Sequence, residues 1–368
     1  MTVPKTMRAA LLTGHGGLDK LVVRDDVPVP APGKGEVLIK VAACGMNNTD
    51  INTRTAWYSE PVTSGITRDG GEQGFGAIKA DAGSWGREGL KFPLIQGCDA
   101  VGHVAAVGAG VPATRVGERV MVDAWLHDID DPHDITKATY FGSECNGGYA
   151  EYAKIRAQNA HRIRSPYSDV ELASMPCVFV TAEGQMTRAR VAKGETIVVS
   201  GASGGAGGAV IQLAKNRGAF VIAITSAGKE ERVKALGADA VVVRGEGDLS
   251  QAIRDAAPGG KVHVASDVVG GELFPHLIKS LSPGGRYVSS GAIAGPQGQL
   301  DLRLLVYRDL ELLGSTVVAP DTFARVLSYI ESGAIRPHVA KTFPLESIRE
   351  AQTEFLKKDF VGNFVLTL

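Results

Sequence analysis

The stretch Thr196–Ser226, TIVVSGASGGAGGAVIQLAKNRGAFVIAITS, constrains this chain more than any other. An apolar run, Thr196–Ser200, enters a turn holding Gly201, Gly204, Gly205 and Gly207, with Ser203 and Ala206 between them. An amphipathic stretch follows, and then a second apolar run ends at Ser226. Glycines lack a Cβ, so the turn can be tight and its backbone N–H groups can approach a pyrophosphate, while a helix N-terminus adds a favourable dipole. Framed by strand, helix and strand, such a turn reads as a dinucleotide site. The plainer reading is a packing turn without ligand.

The pattern around it extends the argument. Apolar runs at FVIAITS, AVVV, VHVASDVV, RYVSSGA and DLELLGSTVV alternate with helical stretches near 205–217, 228–236, 249–256 and 272–281. Continuous apolar strands alternating with helices predict an α/β fold, a doubly wound parallel sheet covered on both faces. A helix is expected throughout 168–191, opened by Ser168 with Glu171 three residues on. Residues 7–56 and 97–163 instead carry short strands punctuated by Pro and Gly. Between them, 59–91 is glycine-rich and aperiodic, which fits either a functional lid or a floppy insertion. A second polar loop covers 126–140. The tail adds helices near 321–332 and 346–357 and a strand, NFVLTL.

Length and charge narrow the class. A chain of 368 residues exceeds one typical domain. Its net charge of −1 gives no reason to expect nucleic acid or a membrane as partner. Four dispersed cysteines and no apolar leader predict a soluble cytoplasmic protein.

The end of the second apolar run bears on which dinucleotide binds. An acid there would hold a ribose 2′-hydroxyl. The sequence reads Thr225-Ser226-Ala227-Gly228-Lys229, with no acid before Glu230. Ser226 can donate to a 2′-phosphate and Lys229 can neutralise it, so NADPH is the expected cofactor. A second unusual stretch is Cys44–Arg54, CGMNNTDINTR, which crowds amides, a hydroxyl, a carboxylate and a thiol. By itself it could be a metal site, a proton relay, a substrate floor or a polar turn. Asp50 and Arg54, four apart, suit an ion pair.

Taken together, PAPGKGEVLIKV, GCDAVGHVAAVGAGV, VGERV, the GASGGAG turn and LSPGGRYVSSGA resemble the medium-chain dehydrogenase/reductase superfamily over nearly the whole length. The resemblance implies a GroES-like β-barrel domain (1–160 and 319–368) and a Rossmann-type NADPH-binding domain (161–318), with the site in the cleft between. Gly45, Asn47, Asp50, Arg54 and Tyr58 match the zinc-free, quinone-oxidoreductase-like branch, with Ala56 replacing a glycine and Asn52 standing where a tyrosine is common. The zinc-ligand positions of the other branch fall on Asn47, Cys98 and Cys177, with Asp99 beside them. An amide at the first is a poor ligand, so no metal is expected.

The implied roles follow. Asn47 orients or polarises a substrate carbonyl, its bland alternative being a cap. Thr49 is a proton donor or relay, and Tyr58 shapes the pocket or donates a proton. Asp50 and Arg54 belong to the same motif. Thr181 lies beside the nicotinamide. Val268 and Val269, next to Asp267, border the cofactor, as do Gly291 and Ala292. Asn363 stands where relatives often carry lysine. His127 and His133 receive no role. The implied activity is NADPH-dependent reduction of quinones or α,β-unsaturated carbonyls by direct hydride transfer. Alternatives are a zinc-dependent alcohol dehydrogenase with altered ligands and a NADPH-binding regulatory protein with little turnover. A homodimer through the strand near 312–318 is expected.

Overall fold

The structure is a computed structural model that describes residues 3–66, 68–75, 89–245 and 247–368. The strand Glu36–Met46 is its longest and organises the first half. It pairs antiparallel with Asp99–Val107, with Tyr152–Arg156 and with the returning strand Asn363–Thr367. The sheet order is 160–162, 119–122, 99–107, 36–46, 363–367, 339–344. A smaller three-stranded sheet packs beside it, with Thr6–Leu12 between Leu21–Pro28 and Leu94–Ile95.

The second half is a six-stranded parallel sheet ordered 240–243, 220–225, 196–199, 264–267, 286–289, 311–314. Its inner strands, 196–199, 220–225 and 264–267, are buried on both faces. Ile197 and Val199 enter the core shared with the first half, while Val198 between them enters a second core with Ile222, Ala265 and Leu277. This is why their apolar runs are continuous rather than alternating. Thr196–Val199 pairs on one side with the strand after it and on the other with Val264–Asp267. Strand order therefore reverses at the first strand, where open α/β sheets leave a crevice at their carboxyl ends. The helix Pro176–Arg188 packs against both Gly205–Asn216 and Thr322–Glu331.

Four local expectations need correction. The helix expected throughout 168–191 is two, Asp169–Ala173 and Pro176–Arg188. Ser168 and Glu171 do form the expected capping box. However, Pro176 has no N–H to continue the ladder, and it starts a new helix at the first position, where that loss is harmless. The stretch after Met46, weighed as a polar turn, contains the helix Asn48–Thr55. Asp50 accepts the Asn47 N–H at 2.8 Å and closes its first turn, while Ala56, left-handed at φ 59, ends it. The run DLELLGSTVV is a strand only over Glu311–Gly314, because its partner ends at Ser289, opposite Gly314. Before it lies an unexpected helix, Leu302–Tyr307, begun by the Asp301 carboxylate accepting the Arg303 N–H.

The expected Asp50–Arg54 ion pair does not form. Asp50 accepts instead from the Tyr149 hydroxyl at 2.7 Å. Arg54 is fully buried and donates to Gln352 Oε1 (2.8 Å), Gly16 O (2.8 Å) and Gly71 O. Loss of hydration pulls its guanidinium down to about 10. One planar fork thus ties the site helix to the tail helix Ile348–Leu356, to the short helix Arg68–Gln73 and to the loop at Gly16.

Of the segment 59–91, residues 67 and 76–88 lie outside the described part, so the choice between lid and insertion falls there. Its described start crosses the cleft. Trp57 Nε1 donates to Ser64 O at 2.9 Å, and Ile66 N–H donates to Ile293 O at 2.8 Å.

Arg54→Met is expected to lower unfolding free energy by on the order of 3 kcal/mol, since it strands three acceptors, two of them buried. Arg54→Lys should recover little, because an ammonium cannot reproduce the fork. Urea unfolding midpoints check this, and a loss below about 1 kcal/mol would show that the three acceptors find other partners.

Candidate active site

A cavity of about 460 Å³ opens at the carboxyl ends of the parallel strands and runs to the first half of the chain. The glycine turn forms one wall. Gly201 has φ 57, a left-handed conformation costly for other residues. A Cβ on Gly207 would sit 2.3 Å from Gly201 O, so the helix can start this close to the strand only with glycine there. Every cofactor-side position named from the sequence lines the cavity: Gly201, Ser203, Gly204, Gly205, Ala206, Gly207, Ser226, Lys229, Val268, Val269, Gly291, Ala292 and Thr181. Asp267 is fully buried beneath it, accepting from Ser200 Oγ, the Val269 N–H (2.8 Å) and Tyr287 Oη (2.7 Å). It fixes the wall rather than touching the cavity.

Among the described residues lining this space there are three cations, Lys229, Arg244 and Lys358, and no carboxylate. Arg244 and Lys358 were not singled out from sequence. Arg244 follows the third parallel strand, and its N–H bonds to Thr225 O at 2.9 Å, which brings it beside Ser226. Two buried hydroxyls of lining residues, Thr225 Oγ1 and Ser315 Oγ, lack hydrogen-bond partners. Buried hydroxyls without partners are costly. Together with the helix N-terminus at the glycine turn and the acid-free lining, they fit a nicotinamide dinucleotide. When bound, that group supplies a hydride from the nicotinamide C4.

The far end is polar and aromatic. Asn47, Thr49 and Tyr58 line it, joined by Trp125, Tyr140 and Cys177, which the sequence reading left without a role there. Asp50 and Arg54 do not reach the cavity; they hold the helix that presents Thr49. Tyr58 Oη donates to Thr49 Oγ1 at 3.3 Å, so a hydroxyl pair faces the cleft. Trp125 and Tyr140 meet edge to face with centroids 4.7 Å apart, from the short hairpin Trp125–Leu126/Thr139–Tyr140. The expectation for Asn47 needs revision. It sits at the cap position, but its amide donates to Asp99 Oδ2 at 2.8 Å and to Cys98 Sγ at 3.6 Å. Both amide hydrogens are thus committed inside the protein, and the hydroxyls remain as the donors facing a substrate.

Behind Asn47, the Cys98 and Cys177 sulfurs and an Asp99 oxygen lie within 4.8 Å of one another. Two thiols and a carboxylate are a chemically competent zinc set. As placed, however, the carboxylate is loaded with donors: Asn47 Nδ2, the Cys177 N–H at 2.7 Å and Cys98 Sγ at 3.6 Å. Burial pushes the Asp99 carboxyl up to about 7. The Cys177 thiol, burial and Asp99 all push the Cys98 thiol well above its ordinary range. The cluster as it stands is arranged around protons. A cation would require both thiolates and an Asn47 amide turned to present its oxygen.

A raised carboxyl keeps its proton when folded, at pH values where the unfolded chain, near 3.8, has released it. Asp99 therefore makes stability fall as pH rises from about 4 through about 7. Asp99→Asn should shrink the difference in urea midpoint between about pH 5 and about pH 8, with chelator present. An undiminished difference would place the linkage elsewhere, on Asp50 or Asp123, which burial raises to about 6 and about 7.

Comparison with known proteins agrees with this layout. Residues 33–165 match the alcohol dehydrogenase GroES-like domain, and residues 205–332 match the zinc-binding dehydrogenase family. An acryloyl-coenzyme A reductase of Metallosphaera sedula is 27% identical over 98% of this chain and 100% of its own length. A quinone oxidoreductase of Rattus norvegicus is 27% identical over 100% and 99%. A crystal structure from Sinorhizobium meliloti 1021, named as a candidate alcohol dehydrogenase, is 49% identical with TM-score 0.90, covering 99% of this chain and 97% of that one. The crotonyl-CoA carboxylase/reductase AntE in complex with NADP is 26% identical with TM-score 0.80, covering 100% and 95%. With its GroES-like half, its Rossmann-like parallel sheet and the cleft between them, the chain belongs to the medium-chain dehydrogenase/reductase superfamily of oxidoreductases.

Proposed function

We propose that this oxidoreductase uses NADPH to reduce an electron-poor double bond, in an α,β-unsaturated carbonyl compound or a quinone, without a metal. The observation that carries the reading is the cavity itself, cationic and acid-free at its adenosine end and closed by a hydroxyl pair at the other. Ser226, Lys229 and Arg244 converge where a 2′-phosphate would lie, and no acid competes for the ribose. Thr181, Gly291 and Ala292 leave a flat slot at the opposite end. Relatives named for acryloyl-CoA and quinone reduction, and a neighbour solved with NADP, support the same chemistry.

In this reading the protein positions the acceptor, excludes water and stabilises negative charge developing on its oxygen. Trp125 and Tyr140 give the slot an apolar edge. Thr49 donates to the oxygen and returns a proton, backed by the Tyr58 hydroxyl that donates to it and resupplies that proton. Asn47 holds Asp99 and Cys98 behind them.

A second reading rests on the Cys98–Asp99–Cys177 group: an alcohol dehydrogenase with zinc on those ligands. Elemental analysis decides, since about one zinc per chain, lost with activity, would favour it. The third possibility is a NADPH sensor with little turnover, favoured if cofactor binds tightly and no acceptor is reduced.

The assembly proposed is a homodimer. Glu311–Gly314 is a sheet edge, Leu312 is 39% exposed, and Leu302, Val306 and Tyr307 are exposed on the helix before it. Light scattering on Leu312→Asp should show dissociation, and a monomeric wild type would remove the idea.

Oxidation of NADPH with a panel of enones, enoyl thioesters and quinones is the direct assay. Tyr58→Phe is expected to lower kcat by about 10²-fold while leaving NADPH affinity unchanged. The pair Lys229→Ala with Arg244→Ala should weaken NADPH by about 10- to 100-fold and NADH far less. Tighter binding of NADH by the wild type would sink the cofactor assignment.

A further inference from the structure

Lys358 stands apart from the cations already used. Its Nζ donates to Asn48 Oδ1 at 2.8 Å and lies 3.7 Å from the centre of the Phe355 ring. Among the described residues no carboxylate pairs with it. Loss of hydration, and then the charge of Lys229, pull its ammonium down to about 7. Its backbone is left-handed, with φ 54, which is uncommon for a side chain of this size. That carbonyl accepts a hydrogen bond from Lys229 Nζ. A strained backbone and an ammonium facing an amide and a ring, inside a cavity, suit a site whose counter-ion is a ligand.

The position of Lys358 is bracketed on three sides. Lys229 binds its carbonyl and marks the adenosine end. Asn48 opens the helix that carries Thr49 and marks the reacting end. Four residues on, the Gly362 N–H bonds to Ser203 O at 3.0 Å, which ties the segment to the glycine turn. What lies between the adenosine and the reacting end of a dinucleotide, against a glycine turn, is its pyrophosphate. The turn itself holds no basic side chain. A Cβ on Gly205 would fall 2.0 Å from Asn363 Oδ1, so the side chain nearest the turn there is a neutral amide, committed through Nδ2 to Ser174 O at 2.8 Å.

We infer that Lys358, held by Asn48 and Phe355, supplies the cationic contact to the dinucleotide pyrophosphate from across the cleft. The inference rests on the dinucleotide reading but not on the choice of acceptor or on the 2′-phosphate. It makes Lys358 a binding residue for either nicotinamide cofactor. Lys229 and Arg244, by contrast, discriminate between the two.

The test measures binary dissociation constants for NADPH, NADH and adenosine 2′-monophosphate, the last lacking a pyrophosphate. Lys358→Gln is expected to weaken NADPH and NADH alike, by about 10- to 100-fold, with adenosine 2′-monophosphate unchanged and Lys358→Arg close to wild type. Asn48→Asp, which gives the ammonium a carboxylate partner and adds negative charge, should weaken both cofactors without removing any side chain of the turn. Unchanged cofactor affinity in Lys358→Gln or in Asn48→Asp would overturn the inference. So would a loss confined to NADPH and adenosine 2′-monophosphate, which would move Lys358 to the 2′-phosphate, or a loss seen only in the KM of a phosphorylated thioester. A wild type that prefers NADH, or reduces no enone, would sink the proposed function and leave this comparison intact.

Discussion

The pairing of Asn363–Thr367 with Ala43–Met46 is the contact on which the rest of the structure depends. It brings the end of the chain back into the first sheet, and the residue just before it, Gly362, bonds to Ser203 in the glycine turn. One short strand thereby touches both halves where they must be aligned. Met46 in that ladder leads straight into the helix carrying Thr49. Each such bond is worth only about 1 kcal/mol net, so their importance is positional rather than energetic. They set the distance between the glycine turn and the helix that carries Thr49.

The buried polar groups behind the cleft follow from the same alignment. Asp99 begins the strand opposite Gly45, and the Cys177 N–H reaches it from the helix Pro176–Arg188. Burial makes negative charge on a carboxyl enclosed this way costly, and Asn47 reduces that cost by donating to it. The amide at position 47 is therefore explained by its neighbours whether or not it ever meets substrate.

How much of this the sequence carried depends on how local the signal was. The glycine turn, the missing acid after Thr225 and the alternating strands and helices are local, and the parallel sheet and its cavity wall could be read from them. Arg54 defeated the reading because its partners, Gln352, Gly16 and Gly71, are distant in sequence, whereas spacing suggested the nearer Asp50. Pro176 was a visible break inside a helical pattern, yet apolar periodicity continued past it. Arg244 and Lys358 sit in ordinary charged surroundings, and only folding turns them toward the same space. Tyr140 closed a stretch read as polar loop, and Trp125 stood just before it. The hydrogen-bonded destination of Asn47 required knowing that Asp99 would lie within reach.

The bond from Ile66 to Ile293 has a mechanical consequence. Its segment begins in the half that holds Tyr58, through Trp57 and Ser64, and ends on the half that holds Gly291. If the halves hinge apart by about 1 Å at that point, the bond passes out of hydrogen-bonding range. Product escape by a hinge motion would thus have to unfasten this strap, so turnover could be throttled there, some distance from the atoms that react.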